Sequence, residues 1–451
     1  MKKTAKKLFI LISVVAGLIF VTIEMIVIFG LQEQFFLDVH SSFVTSEILY
    51  FMLALLLVLP LSLLMLVIST VLFTKPLRKA NGKIFKRKKS KRRQTRFHNL
   101  TKLDRQQKWK VEAGFQTREL SVLCEDFRNF AASRLKLYYD IADIRRFIAG
   151  LCIGRLVLLR GMSGTGKTSL AYAAGEFFGN PSTIVPIQPM WKERSDIIGY
   201  FNEFTKRFNE TPLLCKLYEA GGSQKIYMTV LDEVNIARIE YYFAEFLSLL
   251  EIPDPRKRQL DVVADSWDTD PKRLAGGKLL LPENMWFIGT ANNDDSTFAI
   301  SDKVYDRAAV IDLERKCRPF AAKDTPPVHI SYEMLCRKFN EAAAAHPISL
   351  ELQDKLTRLD NYLAETFRIS FGNRIMQQIL RYVPVMVACG GTAEGALDDI
   401  LSRKILRKLE QISPALIKNE VPKLILFLGE LFGADAMPLC LEYLDRLHKR
   451  L

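Results

Sequence analysis

The sequence predicts an α/β fold: a parallel sheet flanked by helices, an all-helical C-terminal region after it, and a two-helix hairpin of membrane-spanning length before it. Three observations predict this. The apolar run Arg155–Leu159 leads into a glycine-rich turn and then a helical pattern. Two further apolar runs, Lys225–Val234 and Asn284–Asn292, end in polar residues, as strands of one sheet would. From Pro326 onward the apolar residues recur with helical period.

The first elements are Leu8–Gly30 and Ser46–Phe73, both long and apolar, with Glu24 and Glu47 as their charges. Each meets the ~20 residues that a helix needs to cross ~30 Å of hydrocarbon. The loop between them has no Lys or Arg and both flanks are basic, so two spans with both termini cytoplasmic, at an inner or plasma membrane, are expected. Residues 75–110 hold 16 Lys and Arg against the single Asp104, which is where the net charge of +14 originates. The segment is expected as a solvated basic linker that contacts anionic lipid. A nucleic-acid contact is the alternative, against which Phe85, Phe97 and Trp109 are few aromatics for base stacking. The seven cysteines form no C-x-x-C, which excludes a zinc site or disulfide framework as an organising feature.

The turn after Leu159 reads Gly161-Met162-Ser163-Gly164-Thr165-Gly166-Lys167-Thr168-Ser169, a phosphate-binding loop between strand and helix. Its glycines let backbone N–H groups approach phosphates at a helix N-terminus. Lys167 is expected at the β- and γ-phosphates and Thr168 on Mg²⁺. The run ending in Asp232-Glu233 supplies a second Mg²⁺ ligand, Asp232, and an acid, Glu233, to polarise the attacking water. Asn292 closes a third strand, where a side-chain amide would orient that water. Arg307, expected on a helix, would reach a neighbouring subunit's nucleotide and stabilise transition-state charge.

Taken together, Arg160–Leu170, Leu231–Glu251 and Ile288–Ala308 resemble AAA+ ATPases, within the branch that holds MoxR-type ATPases, dynein and midasin modules and the McrB subunit of modified-cytosine restriction systems. The McrB-type pattern is most similar, through Asp232-Glu233-Val234-Asn235, Ala244–Glu251 and Asn292-Asn293-Asp294-Asp295. The resemblance covers roughly residues 140–385. It implies an AAA+ base with a helical lid, ATP (or GTP) and Mg²⁺, and a homo-oligomeric ring, expected as a hexamer. It makes Asn292 the sensor 1 residue, Arg307 the arginine finger, and Arg374 a sensor 2 arginine reaching the γ-phosphate from within its own subunit. The Met190–Phe208 stretch resembles an insert lining the ring's pore, with Trp191 and Tyr200 as pore candidates, and Gly276–Pro282 resembles the hairpin before sensor 1. Only one arginine follows N-x-x-D here, where McrB-like chains carry a pair.

The expected organisation is a hairpin (1–74), a basic linker (75–110), an AAA+ base (111–322) and a helical lid with further helices (323–451). The expected function is a membrane-anchored AAA+ ATPase that hydrolyses ATP in a ring oligomer to remodel or move a partner macromolecule. The alternatives are an NTPase motor in a defence complex with a nuclease, and a nucleotide-gated membrane scaffold.

Overall fold

Leu156–Leu159 have no polar side, and such a run is satisfied only in the middle of a sheet covered on both faces. The computed structural model places it there. It describes residues 95–106, 115–292 and 297–450, within a unit that runs from Arg93 to Leu451. Helices α1 (Asn99–Gln106), α2 (Leu120–Leu135) and α3 (Ile141–Ile153) come first. Strand β1 (Leu156–Gly161) then leads through the glycine-rich turn into α4 (Lys167–Phe177) and β2 (Thr183–Pro186). After α5 (Arg194–Ile198) the chain forms the antiparallel hairpin β3 (Gly199–Asn202) and β4 (Arg207–Glu210). Next come α6 (Pro212–Ala220), β5 (Tyr227–Asp232), α7 (Ile239–Tyr242) and α8 (Ala244–Glu251). A small antiparallel sheet follows, from β6 (Gln259–Asp261), β7 (Leu274–Ala275) and β8 (Lys278–Leu280). Gly276 and Gly277, both at positive φ, turn the β7–β8 hairpin. Strand β9 (Met285–Asn292), α9 (Asp302–Tyr305) and β10 (Ala309–Asp312) complete the base.

The main sheet is parallel, in the order β10-β1-β9-β5-β2. Alternate residues feed two cores. Val157, Leu159, Val230 and Ile288 join one with α2, α3, α4 and the C-terminal helices, whereas Leu156, Leu158, Leu231 and Phe287 join the other with α6 to α8. Register sets the functional edge: Gly161 lies opposite Asn292, and Leu231 opposite Gly289.

The helical C-terminal region is as its periodicity predicts: α10 (Tyr332–Ala345), α11 (Leu350–Phe367), α12 (Gly372–Ala388), α13 (Ala393–Ile400), α14 (Pro414–Phe432) and α15 (Pro438–Lys449). The helical period of the sequence runs without a break through Ala396–Gln411. Yet α13 passes into a π-helical turn, Leu401–Ile405, and a 3₁₀ segment, Leu406–Gln411. The altered winding turns Arg403 onto Asp312 of β10 and Arg407 onto Asp302 of α9.

Two expectations are corrected. Among the described residues no helix is long and apolar enough to cross a membrane, which overturns the membrane localisation; residues 8–73, on which it rested, lie outside the described residues. The basic segment is not solvated throughout. Arg96 and Phe97 are buried, because Arg96 donates to both carboxylate oxygens of Asp270, at 2.8 and 2.7 Å, and to Asp265 at 2.6 Å. Glu210 of β4 accepts the N–H groups of His98, Asn99 and Leu100 and so caps α1. The remainder of the linker, 75–94 and 107–110, lies outside the described residues. All seven cysteines are free.

Candidate nucleotide site

The glycine-rich turn is built by constraints that only glycine meets. Gly161, Gly164 and Gly166 all have positive φ, and a Cβ at Gly161 would lie 2.3 Å from the Leu313 carbonyl oxygen. Thr165 Oγ1 donates to the Met162 carbonyl at 3.0 Å, and Tyr139 Oη donates to the Gly166 carbonyl at 3.0 Å, so α2–α3 braces the loop from outside. Lys167 is buried; its Nζ donates to the carbonyls of Gly161 (2.9 Å) and Met162 (2.7 Å). Ser163 and Ser169 flank this arrangement as loop and first helical turn.

The acidic strand end meets the loop directly. Thr168 Oγ1 donates to Asp232 Oδ1 at 2.7 Å, and Thr290 Oγ1 donates to the same oxygen at 2.8 Å. Thr290 Oγ1 also accepts the Glu233 N–H at 2.9 Å, while its carbonyl accepts the Val234 N–H at 2.8 Å. These bonds hold Glu233 at φ +57°, a left-handed backbone that a non-glycine residue adopts at a cost of about 1–2 kcal/mol. Asn292 Nδ2 donates to Glu233 Oε1 at 3.4 Å. Behind them Asn235 Nδ2 ties the Asn292 carbonyl to Thr297 Oγ1, each at 2.8 Å. Asp294 and Asp295 of the N-x-x-D pattern lie outside the described residues.

The structure therefore brings together Lys167, Thr168, Asp232, Glu233 and Asn292. Thr290 joins them and was not singled out from sequence. Its signal is its position two residues before Asn292 on the same strand, which puts both on one face. A hydroxyl and a carboxylate oxygen 2.7 Å apart are hard donors of the kind that suits Mg²⁺, so Thr168 and Asp232 fit the ion as a pair.

The two arginines are placed elsewhere. Arg307 lies in the turn after α9, not on a helix, and forms an ion pair with Glu251 at 2.6 Å. Arg374, near the start of α12, pairs with the same Glu251 oxygen. Arg374 was expected at the nucleotide of its own subunit; the structure places it beside Arg307, because α12 packs over the Asp306–Arg307 turn, where Gln378 Nε2 donates to the Asp306 carbonyl at 3.0 Å. The Arg307 bond holds the Glu251 carboxyl below the usual carboxylate range.

Beside Gly161 lies a cavity of about 930 Å³, bounded by Asp140, Asp143, Arg315, Lys316, Tyr443 and Arg446 among others. At its edge, burial would raise the Asp312 carboxyl, but Arg160 and Arg403 outweigh that and lower it to about 2. Of the two pore candidates, Trp191 is half-buried against Tyr242 and Tyr200 is 53% exposed, while Phe204 at the β3–β4 turn is 99% exposed.

Residues 156–308 match the family described as AAA domain (dynein-related subfamily), and residues 330–451 match a domain of unknown function. The chain is 26% identical over 258 residues to the "Type IV methyl-directed restriction enzyme EcoKMcrB subunit" of Escherichia coli (strain K12), covering 52% of this chain and 50% of that protein. The chain thus spans half the length of this relative. Among solved structures it resembles a putative ATPase from Cytophaga hutchinsonii, at 16% identity and a TM-score of 0.43, covering 66% of this chain and 91% of that one. It also resembles a full-length MCM homolog from Methanopyrus kandleri, at 12% identity and a TM-score of 0.36, covering 63% and 61%. With their parallel sheet and phosphate-binding loop, residues 156–308 form an AAA+ domain of the dynein-related subfamily, and the chain is similar to the McrB-type NTPase subunit.

Proposed function

We propose that this protein hydrolyses ATP, with GTP as the alternative nucleotide, and uses the energy to remodel or move a partner macromolecule. The observation that carries the reading is the bonded chain Thr168–Asp232–Thr290–Glu233–Asn292 at the ends of three adjacent parallel strands. Lys167 and the loop N–H groups would hold the phosphates, and Thr168 and Asp232 would hold Mg²⁺, which neutralises phosphate charge when bound. Glu233 would take the proton of the attacking water, with Asn292 fixing its orientation. The cavity beside Gly161 has room for the nucleoside, with Asp140, Asp143 and Tyr443 among the residues that line it. Arg307 and Arg374 are paired with each other's partner rather than with this chain of residues, which supports a ring in which both serve a neighbouring subunit's nucleotide.

The test is phosphate release by the purified full chain with Mg-ATP and with Mg-GTP. Lys167→Ala should abolish it, and so should chelation of Mg²⁺ by EDTA. Glu233→Gln should bind nucleotide without turnover. Wild-type turnover by Lys167→Ala would refute the site.

A second reading is favoured by the similarity to a restriction-enzyme subunit: an NTPase motor that works with a nuclease partner. It requires nucleic acid to stimulate turnover, whereas a protein remodeller is indifferent to it.

A further inference from the structure

We infer that Glu251 is a positioning residue that assembles Arg307 and Arg374 into one two-arginine unit, with the C-terminal region fixing the unit's backbone; this rests on the nucleotide-hydrolysing reading above. The two arginines come from distant parts of the chain, one from the turn after α9 and the other from α12. Both present an Nη2 to the same oxygen, Oε1 of Glu251. Two guanidiniums repel at this range, so their shared direction depends on the carboxylate between them. Two positive charges meet one negative, which leaves the group cationic, and Arg374 is 47% exposed. A surplus positive charge at an accessible surface is suited to a phosphate group from outside the subunit, of the sort a neighbour's nucleotide carries.

The backbone beneath Arg307 is held from the C-terminal side. Gln378 Nε2 donates to the Asp306 carbonyl at 3.0 Å, and Lys404 Nζ reaches the same carbonyl at 3.5 Å. Lys408 pairs with the Asp306 carboxylate at 3.2 Å. Arg307 Nη1 donates to the Lys303 carbonyl, which directs the guanidinium back along its own turn toward Glu251. Residues 330–451 thus supply one arginine and clamp the other. Glu251 itself ends α8, the helix that follows the Glu233 turn through α7, so one short segment carries both the acid of a subunit's own site and the group that aims its arginines.

The experiment compares steady-state hydrolysis and nucleotide binding by the full-length wild type, Glu251→Ala, Glu251→Gln and Glu251→Asp. Glu251→Ala should lower kcat ~10–100-fold with KM within about 2-fold, since the residue touches no group that holds its own subunit's nucleotide. Glu251→Gln keeps an acceptor oxygen without the charge and guards against misfolding by Glu251→Ala; it should lose ~3–10-fold. Glu251→Asp, with the charge retained on a shorter stem, should fall between wild type and Glu251→Ala. In an Arg307→Ala/Arg374→Ala background, Glu251→Ala should change the residual kcat by less than about 2-fold, because nothing remains to position. Unchanged kcat in both Glu251→Ala and Glu251→Gln, a rise in KM alone, or a further multiplicative loss in the double-arginine background would overturn the inference. A wild type with no hydrolysis would instead overturn the function proposed above.

Discussion

Thr290 donates to Asp232 at 2.8 Å and, through the same hydroxyl oxygen, accepts the backbone N–H of Glu233 at 2.9 Å. One side chain on β9 therefore orients the carboxylate of one acid and the backbone of the next. Neither acid's own neighbours on β5 could do this, because β5 ends at Asp232 and the chain turns away.

Replacing Thr290 by Val keeps its shape and removes both bonds. The Glu233 N–H loses its partner, and Asp232 keeps only Thr168. We expect kcat to fall ~10–100-fold, corresponding to about 1.5–3 kcal/mol. Thr290→Ser retains the hydroxyl and should stay near wild type. Equal kcat in Thr290→Val and wild type, from initial phosphate-release rates, would remove Thr290 from the site.

Mixing two inactive variants tests whether the arginines act on a neighbour. Arg307→Ala should lose on the order of 10³-fold in turnover, and Lys167→Ala should be inactive. Assembled together in equal amounts, they should recover about a quarter of wild-type turnover, since random pairing places an intact loop beside an intact arginine at that fraction of interfaces. A mixture no more active than its components would show that Arg307 serves its own subunit.

Arg96 carries a stability prediction. Its guanidinium is 1% exposed and makes a two-bond fork to Asp270, itself 5% exposed. Arg96→Met would strand a buried carboxylate, at a cost of about 3–5 kcal/mol. Arg96→Lys should recover only part, because an ammonium cannot form the planar fork. The urea midpoints of the three proteins decide the matter.

Lys404 makes stability depend on pH. Burial lowers its ammonium to about 7, although Asp306 opposes the shift. A base whose folded value is depressed contributes stability that is fully present above the ordinary lysine range and is lost as pH falls toward 7. Relative to Lys404→Met, wild type should therefore gain stability between pH 7 and 10, by no more than about 1.4 kcal/mol per pH unit. A pH-independent difference in urea midpoints would contradict this assignment.

What the sequence disclosed depended on whether its signals were contiguous. Gly161–Ser169 declares itself because the strand, glycines, lysine and helix lie in one stretch. Asp232, Glu233 and Asn292 stand at ends of apolar strands, so each marks itself by a change of polarity. Glu251 and Thr290 act through partners brought in by folding: the run Ala244–Glu251 carries a family pattern without showing that two arginines meet at its end, and the apolar neighbourhood of Thr290 gives no hint of Asp232. Arg96 was hidden by its company: within sixteen basic residues, nothing distinguishes the one that folds under two aspartates. Arg374 was found by its motif, but its place beside Arg307 on Glu251 was not, because helix period reveals that α12 exists and not which edge of the sheet it covers.

The strand order has a consequence for how the chain reaches this state. Strand β1 pairs with β9 and β10, never with β2, so the whole stretch from α4 to β8 must be accommodated before its hydrogen bonds can form. Such non-local pairing is slow, since the entropy of closing a long loop is spent before any contact rewards it. Phosphate-loop and acidic residues meet only across those late pairings. The full set of loop, acid and amide residues is therefore available to a nucleotide only once β1, β9 and β5 are paired, so nucleotide binding at that set favours the finished sheet over any state in which those strands are apart.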